Sequence, residues 1–216
     1  MHKALLFISF LFSIQISAQT KSRFSAEINY GVQGNYFVRS YNEIGRPDGT
    51  VFLNKNFIGT IGGIELKYQT TKMASWSIGY AQSSNTRNIN YNTLINGVRF
   101  SINDFDIKHE NRFYQLFYQR NLSKKIPNLK YEFGIFYLRS QQQEIIVGNN
   151  ARNSIELLQR NFKNSKLEEA GLAAGFQYSK KLDTKFDIGI QSRIYYLVST
   201  NTMEAITFTP ILTYHF

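Results

Sequence analysis

Acid–base or nucleophilic chemistry has few residues to run through in this chain. Of its three histidines His2 lies in the first eighteen residues, leaving His109 and His215, and there is no cysteine among the 216 residues. His109 stands in "NDFDIKHEN" with Asp104, Asp106 and Glu110, a grouping that admits a weak cation site or a general base. A solvated strand face accounts for the same residues with less. Catalysis by a nucleophile needs that group, a base and an orienting group converging on one point. No nucleophile elbow, phosphate-binding loop or metal-ligand spacing is present. The expectation is a protein without catalytic residues, cofactor or metal.

A second set of titratable residues is spaced more regularly. Glu27, Glu65, Lys67, Lys130, Glu132, Glu169, Lys185, Asp187 and Arg193 all fall on the polar parity of alternating segments. If those segments enclose an interior, these charges share it, and buried charges must be paired or wetted. Rings of one sign make a pore, whereas mixed signs make a plug. Both signs are present, so a plugged lumen is expected. Counted up from Tyr178 and Thr184, Glu169 and Arg193 stand at one height on neighbouring segments, which predicts a buried pair.

The elements that carry these charges read as strands. In "FSAEINYGVQGNY" Phe24, Ala26, Ile28, Tyr30, Val32 and Tyr36 alternate with polar residues and glycine. The same period of two recurs around Ile58–Tyr68, Trp76–Tyr80, Tyr114–Leu122, Leu129–Tyr137, Ala170–Tyr178, Phe186–Ile194 and Ile206–Phe216, eight segments in all. Gly31, Gly59, Gly63, Gly79, Gly134, Gly171, Gly175 and Gly189 lie on the polar face, where glycine would weaken a sandwich but gives room in a narrow barrel. Connections alternate as well. Short basic turns around Thr70–Lys72, Lys124–Lys125 and Lys180–Lys181 face long connections after the first, third and fifth segments, and a short one near Asn201. This predicts an all-β fold: an eight-stranded antiparallel up-and-down transmembrane barrel with both termini on the periplasmic side.

The rest of the composition agrees. "MHKALLFISFLFSIQISAQT" has the charged, apolar and small-residue layout of a secretory signal peptide, with cleavage expected after Ala18 and the barrel domain from residue 19 to 216. Without cysteine, neither a lipid anchor nor a disulfide is available. Aromatics make up 15% of the chain, 14 Tyr and 18 Phe among them, yet mean hydropathy is −0.31. That combination suits aromatic girdles at two membrane interfaces rather than a soluble core. The +10 charge is scattered and no nucleic-acid motif accompanies it, so nucleic acid is not an expected partner. Anionic lipid remains one.

The closing stretch "FTPILTYHF" places Leu212, Tyr214 and Phe216 on one parity. An alternating strand ending in Phe resembles the C-terminal insertion signal of Gram-negative outer-membrane proteins. With the eight segments and the loop asymmetry, the chain resembles the OmpA/OmpX-like family of small outer-membrane β-barrels. The "SAQ" processing region and the Asn/Tyr-rich strands resemble Bacteroidetes members. The resemblance implies residence in the outer membrane, contact with its lipid, and assembly by the barrel-assembly machinery through the C-terminal strand. Pro210 departs from the pattern, and a bulge is expected there because proline cannot donate between two neighbours.

Three of the long connections keep alternating. Asn96-Gly97 is a strong hairpin turn signal, and Val98–Leu122 reads as one strand of 25 residues, about 80 Å at ~3.3 Å per residue. "TVFLNKN" after Pro47-Asp48-Gly49 and "QQQEIIVGNNARNSIELLQ" read as further extensions. The first six strands would then rise as one sheet with edges at the first and sixth, near Arg87, Arg99, Arg152 and Arg160. The function expected is a non-enzymatic structural or surface-interaction role, with an extracellular protein or polymer as partner. A narrow porin-like channel and a lipid-modifying enzyme are the alternatives.

Overall fold

The computed structural model describes residues 23–35, 57–95, 98–123, 126–142, 144–149, 155–160 and 166–216. The ten strands are β1 (Phe24–Asn35), β2 (Phe57–Gln69), β3 (Ala74–Ile95), β4 (Val98–Ser123), β5 (Ile126–Gln142), β6 (Glu144–Asn149), β7 (Ile155–Arg160), β8 (Lys166–Lys181), β9 (Phe186–Leu197) and β10 (Thr202–His215). Eight of them close an antiparallel barrel in the order β1-β10-β9-β8-β5-β4-β3-β2, while β6 and β7 pair separately. The segment 1–18, the Lys124–Lys125 turn, Asn96-Gly97 and "TVFLNKN" lie outside the described residues. No described helix is long and apolar enough to cross a membrane, which says nothing about strands.

The period-two pattern decides which way each side chain faces. On β1, Glu27 and Asn29 are buried while Ile28 and Tyr30 are exposed. The same inversion holds around the barrel: Ile64, Ile78, Ile135, Phe176, Ile188 and Phe208 face out, all more than half exposed. Large apolar side chains left in water would cost roughly 25 cal/mol per Å². A wall of this kind requires a non-aqueous surrounding.

Closure seals the backbone edges. The β1–β10 ladder runs from Ser25↔His215 to Gly34↔Ile206, and the Phe216 amide donates to the Phe24 carbonyl at 3.2 Å. At the end that carries β1's start and β10's finish, β2–β3 and β8–β9 turn tightly. Thr70 and Leu182 amides donate to the carbonyls of Ala74 and Phe186 at 3.0 and 2.9 Å. At the opposite end Asn201 turns β9 into β10 with a positive φ of 52°.

Two expectations are corrected. Pro210 carries no bulge: its pairing with Ile190 on β9 is regular, and the β9–β10 shift falls between Met203 and Ala205. The ladder to β1 instead skips Tyr30 and Gly31 and resumes in the same register. A missing N–H removes a rung without displacing the strand. Among the described residues the continuous six-stranded sheet is also absent. β5 and β8 pair up to Gln141↔Lys166, and β6 and β7 begin at Glu144↔Arg160. The two ladders differ in register, and β6–β7 forms a separate two-stranded sheet. Among the described residues of the barrel, β3–β4 alone extends, paired to Ile95↔Val98. β2 stops accompanying β3 at Ser84, and β5 stops accompanying β4 at His109. The edges therefore lie on β3 and β4.

Candidate functional site

Charged, amide and aromatic side chains pack against one another inside the barrel. Nearest the end with the termini, Lys67 Nζ lies 2.7 Å from Glu27 Oε2 and donates to Gln177 Oε1 at 3.0 Å. Gln177 and Thr213 in turn donate to Glu27 Oε2 at 2.9 and 2.7 Å. One layer on, Arg193 bridges two carboxylates, with Nε 2.6 Å from Glu132 Oε2 and Nη1 hydrogen-bonded to Glu65 Oε1. Gln119 and Gln191 donate to Glu132 Oε1 at 2.8 and 3.1 Å. The Arg193 guanidinium also rests over the Phe117 ring, 3.9 Å from its centroid.

Strand register explains this assembly. Glu27 and Glu65 stand directly opposite one another on β1 and β2, a like-charge pair that is unfavourable alone. Lys67 and Arg193 reach them from either side. Lys130 lies within electrostatic reach of Glu27, Asp187 and Glu132. Three carboxylates (Glu27, Glu65, Glu132) thus meet three cations (Lys67, Lys130, Arg193), and no one-signed ring results. Gly175 and Gly134 make the space: a Cβ on Gly175 would stand 2.9 Å from Arg193 Cγ, and one on Gly134 2.6 Å from Phe117 Cδ1.

Above the charges sits an aromatic layer that alternation alone did not reveal. Phe113, Phe136 and Tyr195 are buried on the inward parity, with ring centroids 4.7 to 5.7 Å apart. Ile61, Ala81, Leu138, Leu197 and Ala205 join them. The Tyr195 hydroxyl donates to Gln115 Oε1 at 2.9 Å, tying this layer to the one below. The signal was present in "RFYQLFYQ", "GIFYLRS" and "RIYYL", where aromatic or apolar residues occupy both parities. Two-sided apolar character marks strands buried on both faces.

The remaining residues divide as follows. Glu169 does not meet Arg193: it accepts from Ser199 at 2.8 Å and Thr200 at 3.3 Å, at the far mouth of the barrel. The strands pair with Lys181 opposite Asp187, so Arg193 faces Gly175 and the expected height was misjudged by six residues. Lys185 is exposed in the β8–β9 turn, outside the lumen. Asp187 binds His215 Nε2 at 2.9 Å at the near mouth. Leu212 and Phe216 face outward and Tyr214 is half-buried among Phe186 and Phe216, at centroid distances of 5.2 and 5.3 Å.

His109 is buried rather than solvated, which corrects the expectation for it. It lies five residues beyond Tyr114, outside the apolar band, and burial pushes its imidazole below the ordinary value of 6.5 against the opposing pull of Glu204. Its Nε2 lies 2.8 Å from Asn111 Oδ1 and 2.9 Å from Ser140 Oγ. Asn111 donates its amide to Glu204 Oε1 at 2.8 Å, leaving its oxygen for His109. That orientation puts the proton on Nε2. A nitrogen already protonated cannot take a proton from Ser140, so the pair is not arranged as nucleophile and base. Glu110 turns outward to Lys108 at 2.7 Å. Side chains of Asp104 and Asp106 lie outside the described set, and among described residues no group of three or more His, Asp or Glu is placed to hold a metal.

No protein-family model and no curated protein matches the chain. Among solved structures, it is similar to Neisserial surface protein A at 11% identity, over 90% of this chain and 98% of that one, with a TM-score of 0.49. It is similar to the attachment invasion locus protein Ail of Yersinia pestis, solved with the heparin analogue sucrose octasulfate, at 12% identity, 90% and 99% coverage and a TM-score of 0.44. It is similar also to the outer membrane protease OmpT of Escherichia coli at 9% identity, 91% and 98% coverage and a TM-score of 0.40. With TM-scores of 0.40 to 0.49, these likenesses carry no argument, and the fold rests on the strand pairings themselves.

Proposed function

We propose that this chain is a non-enzymatic outer-membrane barrel whose occluded body anchors a surface-exposed β-ribbon. The exposed apolar wall supports the membrane, and the signal-like N-terminus supports export. In this orientation the termini face the periplasm, and Leu212, Tyr214 and Phe216 present the C-terminal strand to the barrel-assembly machinery. The Asn/Tyr-rich strands keep their Bacteroidetes-like composition.

The observation that carries the surface role is the β3–β4 ribbon. Among the described residues, each of its strands beyond Asn85 and His109 pairs only with the other, through Ile95↔Val98. Each therefore offers one row of backbone donors and acceptors to a partner's strand. Arg87 and Arg99 are positions on this ribbon and Arg160 one on β7, whereas Arg152 lies outside the described residues. An extracellular protein or polymer is the partner class. Hydrogen exchange on the protein reconstituted in bilayers tests the ribbon: slow exchange at alternate amides of Asn88–Asp106 is expected. Rapid exchange throughout that stretch would end the reading.

A further inference from the structure

The outward face of β3, β4, β5 and β8 carries a feature the reading above does not use. Tyr80, Tyr114 and Tyr137 stand side by side across the strands, with centroids 5.4 and 6.2 Å apart. Two residues further along each strand, the next outward row reads Gln82, Arg112, Arg139 and Glu168. Arg112 and Arg139 are direct cross-strand partners. Like charges in that position are destabilising unless an anion lies between them.

The described side chains around this row carry more positive than negative charge. Arg139 Nε is 3.0 Å from Glu168 Oε1, and the Tyr137 hydroxyl hydrogen-bonds the same carboxylate. Lys108 is held by Glu110 at 2.7 Å. Arg112 makes no ion pair among the described residues. Among the described side chains, Lys166 joins Lys108, Arg112 and Arg139 as a fourth cation on this strip, against the carboxylates of Glu110 and Glu168.

Below the strip the wall is hollowed. The row of tyrosines is continued on β8 by Ala170, paired with Tyr137, and Ala170 is one of the residues that line an apolar hollow of about 970 Å³. Tyr114, Leu116, Ile135, Tyr137, Ala170 and Leu172 line it. A two-charge anion seat above an apolar hollow matches an amphiphile. Its head carries a phosphate monoester, with close to two negative charges at neutral pH. Guanidinium forks suit phosphate oxygens in pairs.

We infer that Arg112 and Arg139 seat the phosphate monoester of an outer-leaflet glycolipid, whose acyl chains occupy the hollow beneath. The inference rests on the membrane orientation proposed above: only then does this row meet the outer leaflet's headgroups. The glycolipid is preferred because the hollow spans five strands, β2, β3, β4, β5 and β8, wider than one pair of chains requires.

Native mass spectrometry of the full chain refolded in detergent tests it. The probes are a phosphorylated disaccharide lipid, its dephosphorylated counterpart and phosphatidylcholine. The folded protein is expected to retain the phosphorylated lipid about tenfold more strongly than either other probe, the order of one charge-assisted contact. Arg112→Gln, which breaks no ion pair, is expected to lower retention to the dephosphorylated level, and Arg112→Gln/Arg139→Gln to do no less. Lys72→Gln, in the distant β2–β3 turn, is the control. Equal retention of the three probes, or unchanged retention by Arg112→Gln, overturns the site. Heat-modifiable gel migration and insertion into liposomes report folding separately. A barrel that inserts without phosphate selectivity loses this site and keeps the membrane reading; one that does not insert loses the membrane reading.

Discussion

Arg193 is the residue on which the interior turns. Fully buried, it neutralises Glu65 and Glu132 and covers the Phe117 ring. Two carboxylates released from one cation would repel one another with no solvent to screen them. Arg193→Gln is expected to cost about 3–5 kcal/mol in urea unfolding from lipid or detergent. Adding Glu132→Gln removes one of the stranded charges, so the double variant is expected to be more stable than the sum of the two single changes. Strict additivity would show that the bridge contributes nothing. The membership of this cluster was legible in the sequence, because parity alone places Glu27, Glu65, Lys67, Glu132 and Arg193 inside. The pairing was not. Partner choice depends on how far each strand slides past its neighbour, and a six-residue error on β8–β9 exchanged Glu169 for Gly175.

Strands were legible because one face meets lipid and the other meets the lumen, so hydrophobicity must alternate. Where both faces are apolar, as at Phe113, Phe117, Phe136 and Leu138, alternation fails and the aromatic layer is missed. Sheet continuity failed among the described residues for a related reason: β5–β8 and β6–β7 each alternate, but alternation does not show that their ladders differ in register. The closing strand shows what an element's last residue contributes. Phe216 supplies an amide to Phe24 and an edge-on ring to Tyr214, which also meets Phe186 of β9. These contacts fasten β1, β9 and β10 at the end where no turn joins β10 to β1. Deleting Phe216 is expected to leave most of the exported chain unfolded in the periplasm. The check is the yield of heat-modifiable barrel on a gel, and an undiminished yield would remove Phe216 from assembly.

At the scale of the molecule, the question is whether a closed wall encloses a path. Two layers stand across it. The lower is charged but balanced, with Glu27, Glu65 and Glu132 met by Lys67, Lys130 and Arg193 and by four glutamines. The upper is apolar: Phe113 and Phe136 are 0 and 3% exposed, and Tyr195 1%. An ion crossing both would have to break short, buried ion pairs and then shed its water among aromatic rings, each step costing several kcal/mol. Hydrophobic constrictions stop ions by excluding water, even where side chains still move. The wild-type protein in planar bilayers is therefore expected to show no stable single-channel steps. Phe113→Ala with Phe136→Ala removes two rings from the upper layer and leaves the ion pairs in place, so brief, small openings are expected from that variant. The order of the layers makes the comparison informative. If the charged layer alone were the seal, the double alanine variant would stay silent while Arg193→Gln conducted. Steady, ion-selective steps from the wild type would instead favour the channel reading over the anchored ribbon.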